Sequence, residues 1–146
     1  MSNSADHEEI EELLGRTPQG RFEVVLRNEN GEARVIRNDP FLYDGTPMPT
    51  LFWLVDPKER RLVSQLESQG AIKEVEALLG LEVIAETHSQ YSNQRAHYMP
   101  DEYYGPKPVG GVGGTRQGVK CLHAHYAFYL AGGDDPVGAW VAMRIQ

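Results

Sequence analysis

The residues that could carry out chemistry are concentrated in residues 110–136. This stretch contains a glycine-rich loop, the single cysteine Cys121, and two of the five histidines, His123 and His125. Thiol, imidazole and carboxylate groups are those that proteins use as nucleophiles, proton carriers and metal ligands. Glycine lets a backbone approach a ligand closely. The stretch therefore predicts a functional site, although it does not name a substrate.

The glycine-rich loop predicts an anion site where it meets the next segment. We predict a helix over residues 119–131 with Gly118 as its N-cap, which places Lys120 and Cys121 in the first turn. The first amides of a helix have no partner within the helix, and the helix dipole attracts negative charge. A phosphate- or carboxylate-bearing ligand is therefore expected there, and the same field would stabilise a thiolate. The predicted ligand-binding residues are Gly113, Gly114, Thr115, Arg116, Gly118, Lys120 and Asp134.

The same loop also has a structural interpretation. It matches neither the phosphate-binding loop of nucleoside triphosphatases nor the dinucleotide fingerprint. In this interpretation the glycines only allow the chain to cross closely beneath another element. The sequence leaves both interpretations open.

The alternation of Cys121, His123 and His125 gives different sites in different secondary structures. On a strand, the three side chains would share a face and could bind one metal ion. On the helix that we predict, Cys121 and His125 share a face, and His123 points nearly opposite. The helix is favoured because the segment is rich in alanine and leucine and ends at a glycine pair.

Three roles are open for these side chains. As nucleophile and base they would make the protein a hydrolase or transferase, with Cys121, His123 and His125 as the catalytic candidates. As metal ligands, Cys121 and His125 could bind zinc or iron. In the third role, Cys121 is only a small core residue, since buried free cysteines are common. Further metal ligands could come from His88, His97 or Asp134.

The elements that must position these residues are those of one small domain, because 146 residues suffice for a single core. An Asn-Gly pair predicts a tight hairpin turn, and Pro40 in an Asp-Pro pair is expected to end the second strand. The apolar run Leu-Phe-Trp-Leu-Val is typical of a buried central strand. The expected elements are a docking helix at 5–14 within an N-terminal segment 1–16, strands at 21–27 and 32–37, a stiff loop at 41–50, and the central strand at 51–55.

Helices are expected to fill most of the remaining chain. Asp56 followed by proline is a typical helix start, and Asp135 followed by proline is another. The helix over 82–98 is polar, so His88, Arg95 and His97 are expected on a solvated face. Residues 99–118 form a long Pro/Gly-rich loop, which is usual for functional or disordered segments. The predicted class is α+β: a small antiparallel sheet, made of a hairpin and a short buried strand, packed with about five helices in a single domain.

Charge and composition narrow the expected partners and location. The net charge of −7 argues against a nucleic-acid-binding surface. The acidic N-terminus does not resemble a secretory signal, and no run approaches the roughly 20 apolar residues of a membrane helix. One cysteine cannot form an internal disulfide, so we expect a cytoplasmic protein, with a small anionic ligand or a protein as partner. The oligomeric state stays open.

Several short runs resemble those of one known family. They are DGTPMPT at 44–50, FWL at 52–54, LE at 66–67, GVKCLH at 118–123 and LAGGDDPVG at 130–138. In these runs the sequence resembles a bacterial family, found chiefly in actinobacteria, that is designated domain of unknown function five hundred and one. The resemblance implies a cytoplasmic protein and assigns no activity.

The resemblance also supports a second kind of function. Genes of family members often lie near those for enolase, a septum formation initiator and an exopolyphosphatase. This implies, as an alternative, a non-catalytic protein-interaction module linked to cell division. Its binding surface would then be formed by the glycine-rich loop and the proline-rich loop at 41–50.

Overall fold

The protein is described by a computed structural model that covers residues 4–101 and 103–146. Within these residues the chain forms six α-helices and one three-stranded antiparallel sheet, which confirms the predicted α+β class. A turn of 3-10 helix at Val112–Gly114 interrupts the long loop. The elements in chain order are α1 (Ser4–Leu14), β1 (Gly20–Arg27), β2 (Ala33–Leu42), β3 (Phe52–Leu54), α2 (Pro57–Ser68), α3 (Ala71–Leu79), α4 (Leu81–Ala96), α5 (Leu122–Leu130) and α6 (Pro136–Arg144).

The hairpin is confirmed, but its second strand is longer than predicted. The prediction that residues 39–40 end this strand is wrong, because β2 continues to Leu42. Pro40 lies between the paired positions Asn38 and Leu42, where the register with β1 shifts. A proline is tolerated at such an irregularity because the ladder does not require its missing amide hydrogen.

The third strand is buried as predicted but does not lie in the centre of the sheet. The strand order is β1-β2-β3, so β3 is an edge strand. Helix α5 packs on β3, and the ring of Phe128 is stacked on Phe52 with their centroids 6.0 Å apart. The apolar character of β3 therefore reflects cover by a helix, which a local sequence pattern cannot distinguish from cover by two strands.

The sheet separates two hydrophobic clusters. Because side chains alternate along a strand, Val35 of β2 joins the larger cluster beneath the helices, whereas its neighbour Ile36 joins a smaller one. Helix α1 covers this smaller cluster with the fully buried Ile10. No helix among the described residues combines the length and apolar character required to cross a bilayer.

Helix α5, which carries both histidines of the predicted site, begins later than predicted. The prediction of Gly118 as N-cap is wrong, because Cys121 is the N-cap and Leu122 the first helical residue. Gly118 has a left-handed φ of 62°, and its carbonyl accepts a hydrogen bond from His88. The amide of Val119 donates to Glu76, so long-range bonds hold residues 118–121 outside the helix.

Candidate functional site

A pocket of about 720 Å³ lies where the start of α5 meets α2 and the end of α1. Its lining within the described residues includes four cationic side chains and no carboxylate, although the whole chain carries a net charge of −7. The aromatic side chains of Phe52 and Trp53 form part of its apolar wall. The polar and charged lining residues are Arg16, Thr50, Arg60, Arg61, Ser64, Lys120, Cys121 and His123.

Helix α2 supplies much of the charged side of this pocket. Arg60, Ser64 and Glu67 are four and three residues apart, so they share one face of the helix. This face is directed at the beginning of α5. The hydroxyl oxygen of Ser64 lies 3.1 Å from Nε2 of His123, and the carbonyl oxygen of Arg60 lies 3.2 Å from the same nitrogen.

Three ligand-type side chains meet at the edge of the pocket. Sγ of Cys121 lies 3.6 Å from Nδ1 of His123, and Oε1 of Glu67 lies 3.3 Å from that same nitrogen. The three ligand atoms all lie within 4.8 Å of one another. The other oxygen of Glu67 accepts a 2.8 Å hydrogen bond from the amide of Leu122. The carboxylate is therefore held in place by the first amide of α5.

This arrangement corrects the premise of the predicted anion site. Cys121 has extended backbone angles and makes no side-chain capping bond, so it does not lie inside the first turn. The amides of Val119 and Leu122 are bonded to Glu76 and Glu67. These two amides were predicted to bind an anionic ligand, but they already donate to the protein's own carboxylates. The cationic side chains lie beside the start of the helix.

The predicted face shared by Cys121 and His125 is also not present. Because Cys121 precedes the helix in an extended conformation, its sulfur lies near His123 rather than one helical turn away. His125 is fully buried, and its Nδ1 lies 2.7 Å from Oδ2 of Asp135. Its Nε2 has no hydrogen-bond partner among the described residues. His125 therefore belongs to the core between α5 and α6, and Cys121 with His123 to the pocket.

The long loop is held by two side chains of α4 that were expected in solvent. His88 and Arg95 are both buried, so the prediction of a solvated face is wrong for them. Nδ1 of His88 accepts from the amide of Val112, and Nε2 donates to the carbonyl of Gly118, which assigns the neutral tautomer. Burial lowers the pKa of His88, with a smaller opposing effect from its hydrogen bond to Gly118.

Arg95 holds a neighbouring point of the same loop and also the loop that precedes β3. Its guanidinium donates to the carbonyls of Pro49 and Gly110 at 2.7 and 2.8 Å. Burial lowers the pKa of Arg95 from its ordinary value. The missed signal was spacing, because the buried residues of α4 recur every three or four positions: Ile84, Thr87, His88, Tyr91 and Arg95.

Two glycines of the loop are required by the protein's own packing and backbone. A Cβ on Gly111 would overlap Cβ of His88, and Gly118 has a left-handed φ of 62°, which side chains rarely adopt. The structural interpretation of the glycine-rich loop therefore holds at these positions. Gly113 differs, because it lines the pocket beside Lys120.

The remaining predicted ligand residues do not gather at one place. Arg116 borders a separate cavity of about 440 Å³ that also contacts His88. The hydroxyl of Thr115 donates to the carbonyl of Gln117. Asp134 is exposed and directly precedes Asp135, the confirmed N-cap of α6. Of the predicted set, Gly113 and Lys120 are the residues that line the pocket beside Cys121.

The electrostatics of the cluster favour a charged His123. Its hydrogen bond with Cys121 raises the pKa of His123, and the charge of Glu67 acts in the same direction, whereas burial opposes both. Sequence reasoning did not single out Glu67 by its chemistry. The signal available was the helical spacing of Arg60, Ser64 and Glu67, together with the LE run that contributed to the family resemblance.

The chain matches one family over most of its length. Residues 24–143 match the family described as "Protein of unknown function (DUF501)". This range includes Glu67, Cys121 and His123, whereas Arg16 on the pocket wall precedes it. No curated protein and no solved structure matches the chain. Because the match covers far more than half of its residues, the chain belongs to the DUF501 family of proteins of unknown function.

Proposed function

We propose that this protein binds a small anionic ligand, bearing a phosphate or carboxylate group, in the pocket beside Cys121 and His123. The observation that carries the proposal is the concentration of Arg16, Arg60, Arg61 and Lys120 around one cavity without a carboxylate among its described lining residues. In a chain of net charge −7, such a cavity is a local reversal of sign. A concave site lined by one sign of charge concentrates ligands of the opposite sign.

The kinds of cation present suit an oxyanion. Arginine presents a planar fork of donors that matches phosphate and carboxylate oxygens, whereas lysine acts as a compact charge. Two unit charges 4 Å apart attract by about 4 kcal/mol at an effective dielectric constant of 20. Several such contacts suffice for binding after the entropy cost of association is subtracted.

The apolar side of the pocket would suit a ligand that has a second, uncharged part. Phe52, Trp53 and Leu54 line the same cavity as the cations. The guanidinium of Arg16 lies over the ring of Trp53 at 5.6 Å from its centroid. A flat or apolar group could pack there while its anionic end reaches the cations on α2.

The anionic ligand is of the class predicted from the sequence, but its binding site is different. The ligand is held by side chains at the pocket rather than by the amides of a helix start. If the protein is an enzyme, His123 replaces His125 as the imidazole that acts with Cys121, in hydrolysis or group transfer. A free thiol at a ligand site is also compatible with the expected reducing cytoplasm.

Calorimetric titration with pyrophosphate tests this proposal. Replacing Arg60, Arg61 or Lys120 singly by Gln removes a charge-assisted contact of about 1.5–3 kcal/mol, so each variant is expected to bind about tenfold or more weakly. Lys73→Gln is the matched control, because Lys73 is exposed on α3 and does not line the pocket. Equal affinity in the pocket variants and the control would contradict the proposal, as would the absence of binding at millimolar pyrophosphate.

A further inference from the structure

We propose that Glu67, Cys121 and His123 form a three-ligand zinc site whose fourth coordination position opens into the pocket. The metal would then bind an oxygen of the anionic ligand or a water molecule. The site itself stands on the geometry of the three side chains. The role of the open position rests on the proposed function.

Two of the three spacings between the ligand atoms match those around a tetrahedral zinc ion, and the third, from sulfur to carboxylate oxygen, is at most 4.8 Å. Zinc lies about 2.3 Å from thiolate sulfur and about 2.0–2.2 Å from imidazole nitrogen or carboxylate oxygen. At a tetrahedral angle these bond lengths separate sulfur from nitrogen by about 3.6 Å and nitrogen from oxygen by about 3.3 Å. The corresponding distances are 3.6 Å from Cys121 Sγ to His123 Nδ1 and 3.3 Å from that nitrogen to Glu67 Oε1.

A second observation is that the thiol and the carboxylate meet at the same ring nitrogen. In the charged imidazole, Nδ1 carries a proton that the sulfur of Cys121 and the carboxylate of Glu67 can share. A divalent cation that takes the place of this proton satisfies the lone pairs of all three atoms. Thiolate, imidazole and carboxylate therefore converge on one point, which is the arrangement that metal coordination requires.

The surroundings supply the outer contacts that metal ligands require. When Nδ1 of His123 binds zinc, Nε2 carries the proton and can donate to the carbonyl of Arg60, 3.2 Å away. The second oxygen of Glu67 is fixed by the amide of Leu122. Such contacts orient ligating side chains and set the histidine tautomer. Both contacts are made by atoms that the proposed ion does not use.

The three ligand types favour zinc, and the open fourth coordination position favours a metal that binds a substrate or water. Thiolate and imidazole together suit zinc, whereas calcium and magnesium prefer oxygen ligands. Glu67 and a Cys121 thiolate would balance the two positive charges of the ion. Three protein ligands leave the fourth position open, which is the arrangement of zinc sites that bind a substrate or water. Cys121 and His123 line the pocket together with Lys120 and Arg60, so an open position on that side would be within reach of these cations.

The test uses the full chain without an affinity tag. Protein produced with zinc in the medium is expected to retain about one zinc per chain, as a structural or catalytic zinc site does. Chelator-treated protein is then titrated with Co²⁺, whose charge-transfer absorption from a thiolate reports coordination by Cys121. Cys121→Ser should abolish this band, and His123→Gln and Glu67→Gln should weaken Co²⁺ binding by at least about tenfold. His97→Gln is the control, because His97 is exposed and lies outside the cluster.

Two outcomes would overturn the zinc site: wild-type protein without a thiolate band at excess Co²⁺, or a band that survives in Cys121→Ser. The circular dichroism of each metal-free variant shows whether it is folded. Pyrophosphate titration of metal-free protein is carried out in parallel. Pyrophosphate binding without Co²⁺ binding removes this inference and leaves the proposed function. Co²⁺ binding with no effect of Lys120→Gln on pyrophosphate supports the metal site and removes the anion pocket.

Discussion

His123 and His125 lie two residues apart on α5, and their surroundings differ in every respect that matters for function. His123 keeps a quarter of its side chain exposed, faces the pocket, and meets a thiol and a carboxylate that are also accessible. His125 is completely buried and paired with Asp135, which is equally buried. The first arrangement leaves room for a ligand, and the second leaves none.

The difference follows from the positions of the two histidines on α5, and the extended Cys121 places the thiol on the His123 side. With Cys121 as an extended N-cap, the helix starts at Leu122, and side chains two positions apart point in nearly opposite directions. His123 points to the α2 residues at the pocket, and His125 points to Asp135 at the start of α6. Neighbouring residues of one type can therefore belong to a site and to the core, and their partners decide which.

The largest effect on stability is expected from breaking the buried pair. Asp135→Ala removes the partner of His125 and the oxygen that caps the amides of Val137 and Gly138. An unsatisfied buried group costs about 1–3 kcal/mol and a lost N-cap about 1 kcal/mol, so urea unfolding should show a loss of about 2–4 kcal/mol. Asp134→Ala, at the exposed neighbour, should change stability by no more than about 0.5 kcal/mol. Similar values for the two variants would remove the structural role assigned to the pair.

A smaller loss is expected at Tyr126, a third polar side chain of α5 that meets a carboxylate. Its hydroxyl donates to Glu59, which also receives two hydrogen bonds from Arg34. Burial raises the pKa of Tyr126, and the hydrogen bond to Glu59 raises it further, so the hydroxyl stays protonated. Tyr126→Phe should lower the free energy of unfolding by about 1.5–3 kcal/mol. Tyr129→Phe, at an exposed position of the same helix, serves as the control, and an equal loss there would contradict the prediction.

His88, a third buried or half-buried histidine, is expected to make the stability of the protein depend on pH. Because burial lowers its pKa, the folded protein keeps His88 neutral while the unfolded chain takes up a proton below about pH 6.5. Its contribution to stability is fully present above that pH and is lost as the pH falls towards the folded pKa. The slope contributed by His88 is at most about 1.4 kcal/mol per pH unit.

His88→Gln, which stays neutral, isolates this contribution. The variant is expected to be less stable than the wild type at pH 7.5 and to lose less stability between pH 7.5 and 5. Urea unfolding at several pH values measures both slopes. A variant that is as acid-sensitive as the wild type would show that His88 is not the source of the pH dependence.

The smallest effect on stability is expected at the pocket. Cys121 is half-buried and packs only at the edge of the buried core. Cys121→Ala should therefore lower the free energy of unfolding by less than about 1 kcal/mol, measured by urea unfolding. Removal of its sulfur should still alter what the pocket binds. A large loss of stability would instead support the interpretation of Cys121 as a core residue.

The parts of the fold that local chemistry determines were predictable. Asp56 and Asp135, each followed by proline, mark the starts of α2 and α6, and both accept hydrogen bonds from the first helical turn. The start of α5 was not predictable in this way. The amides of Val119 and Leu122 donate to Glu76 and Glu67, and His88 donates to the carbonyl of Gly118. Partners so distant in sequence leave no local pattern.

The candidate site was predictable only in part, for the same reason. The sequence places Cys121, His123 and Lys120 together, and the structure keeps these three around the pocket. Glu67 and the arginines of α2 join them only through packing between helices. The polar stretch of α4 failed as a prediction because polarity alone does not report burial, whereas the spacing of His88 and Arg95 does.

The most direct test of the central claim is to record the imidazole resonances of the histidines by NMR while pyrophosphate is added. Binding in the pocket beside Cys121 and His123 should shift the resonances of His123 in a saturable way and leave those of His125 unchanged. Lys120→Gln should require about tenfold more pyrophosphate for the same shift. A titration that moves His125 or His88 and leaves His123 unmoved would contradict the account, because the anion would then bind away from the pocket.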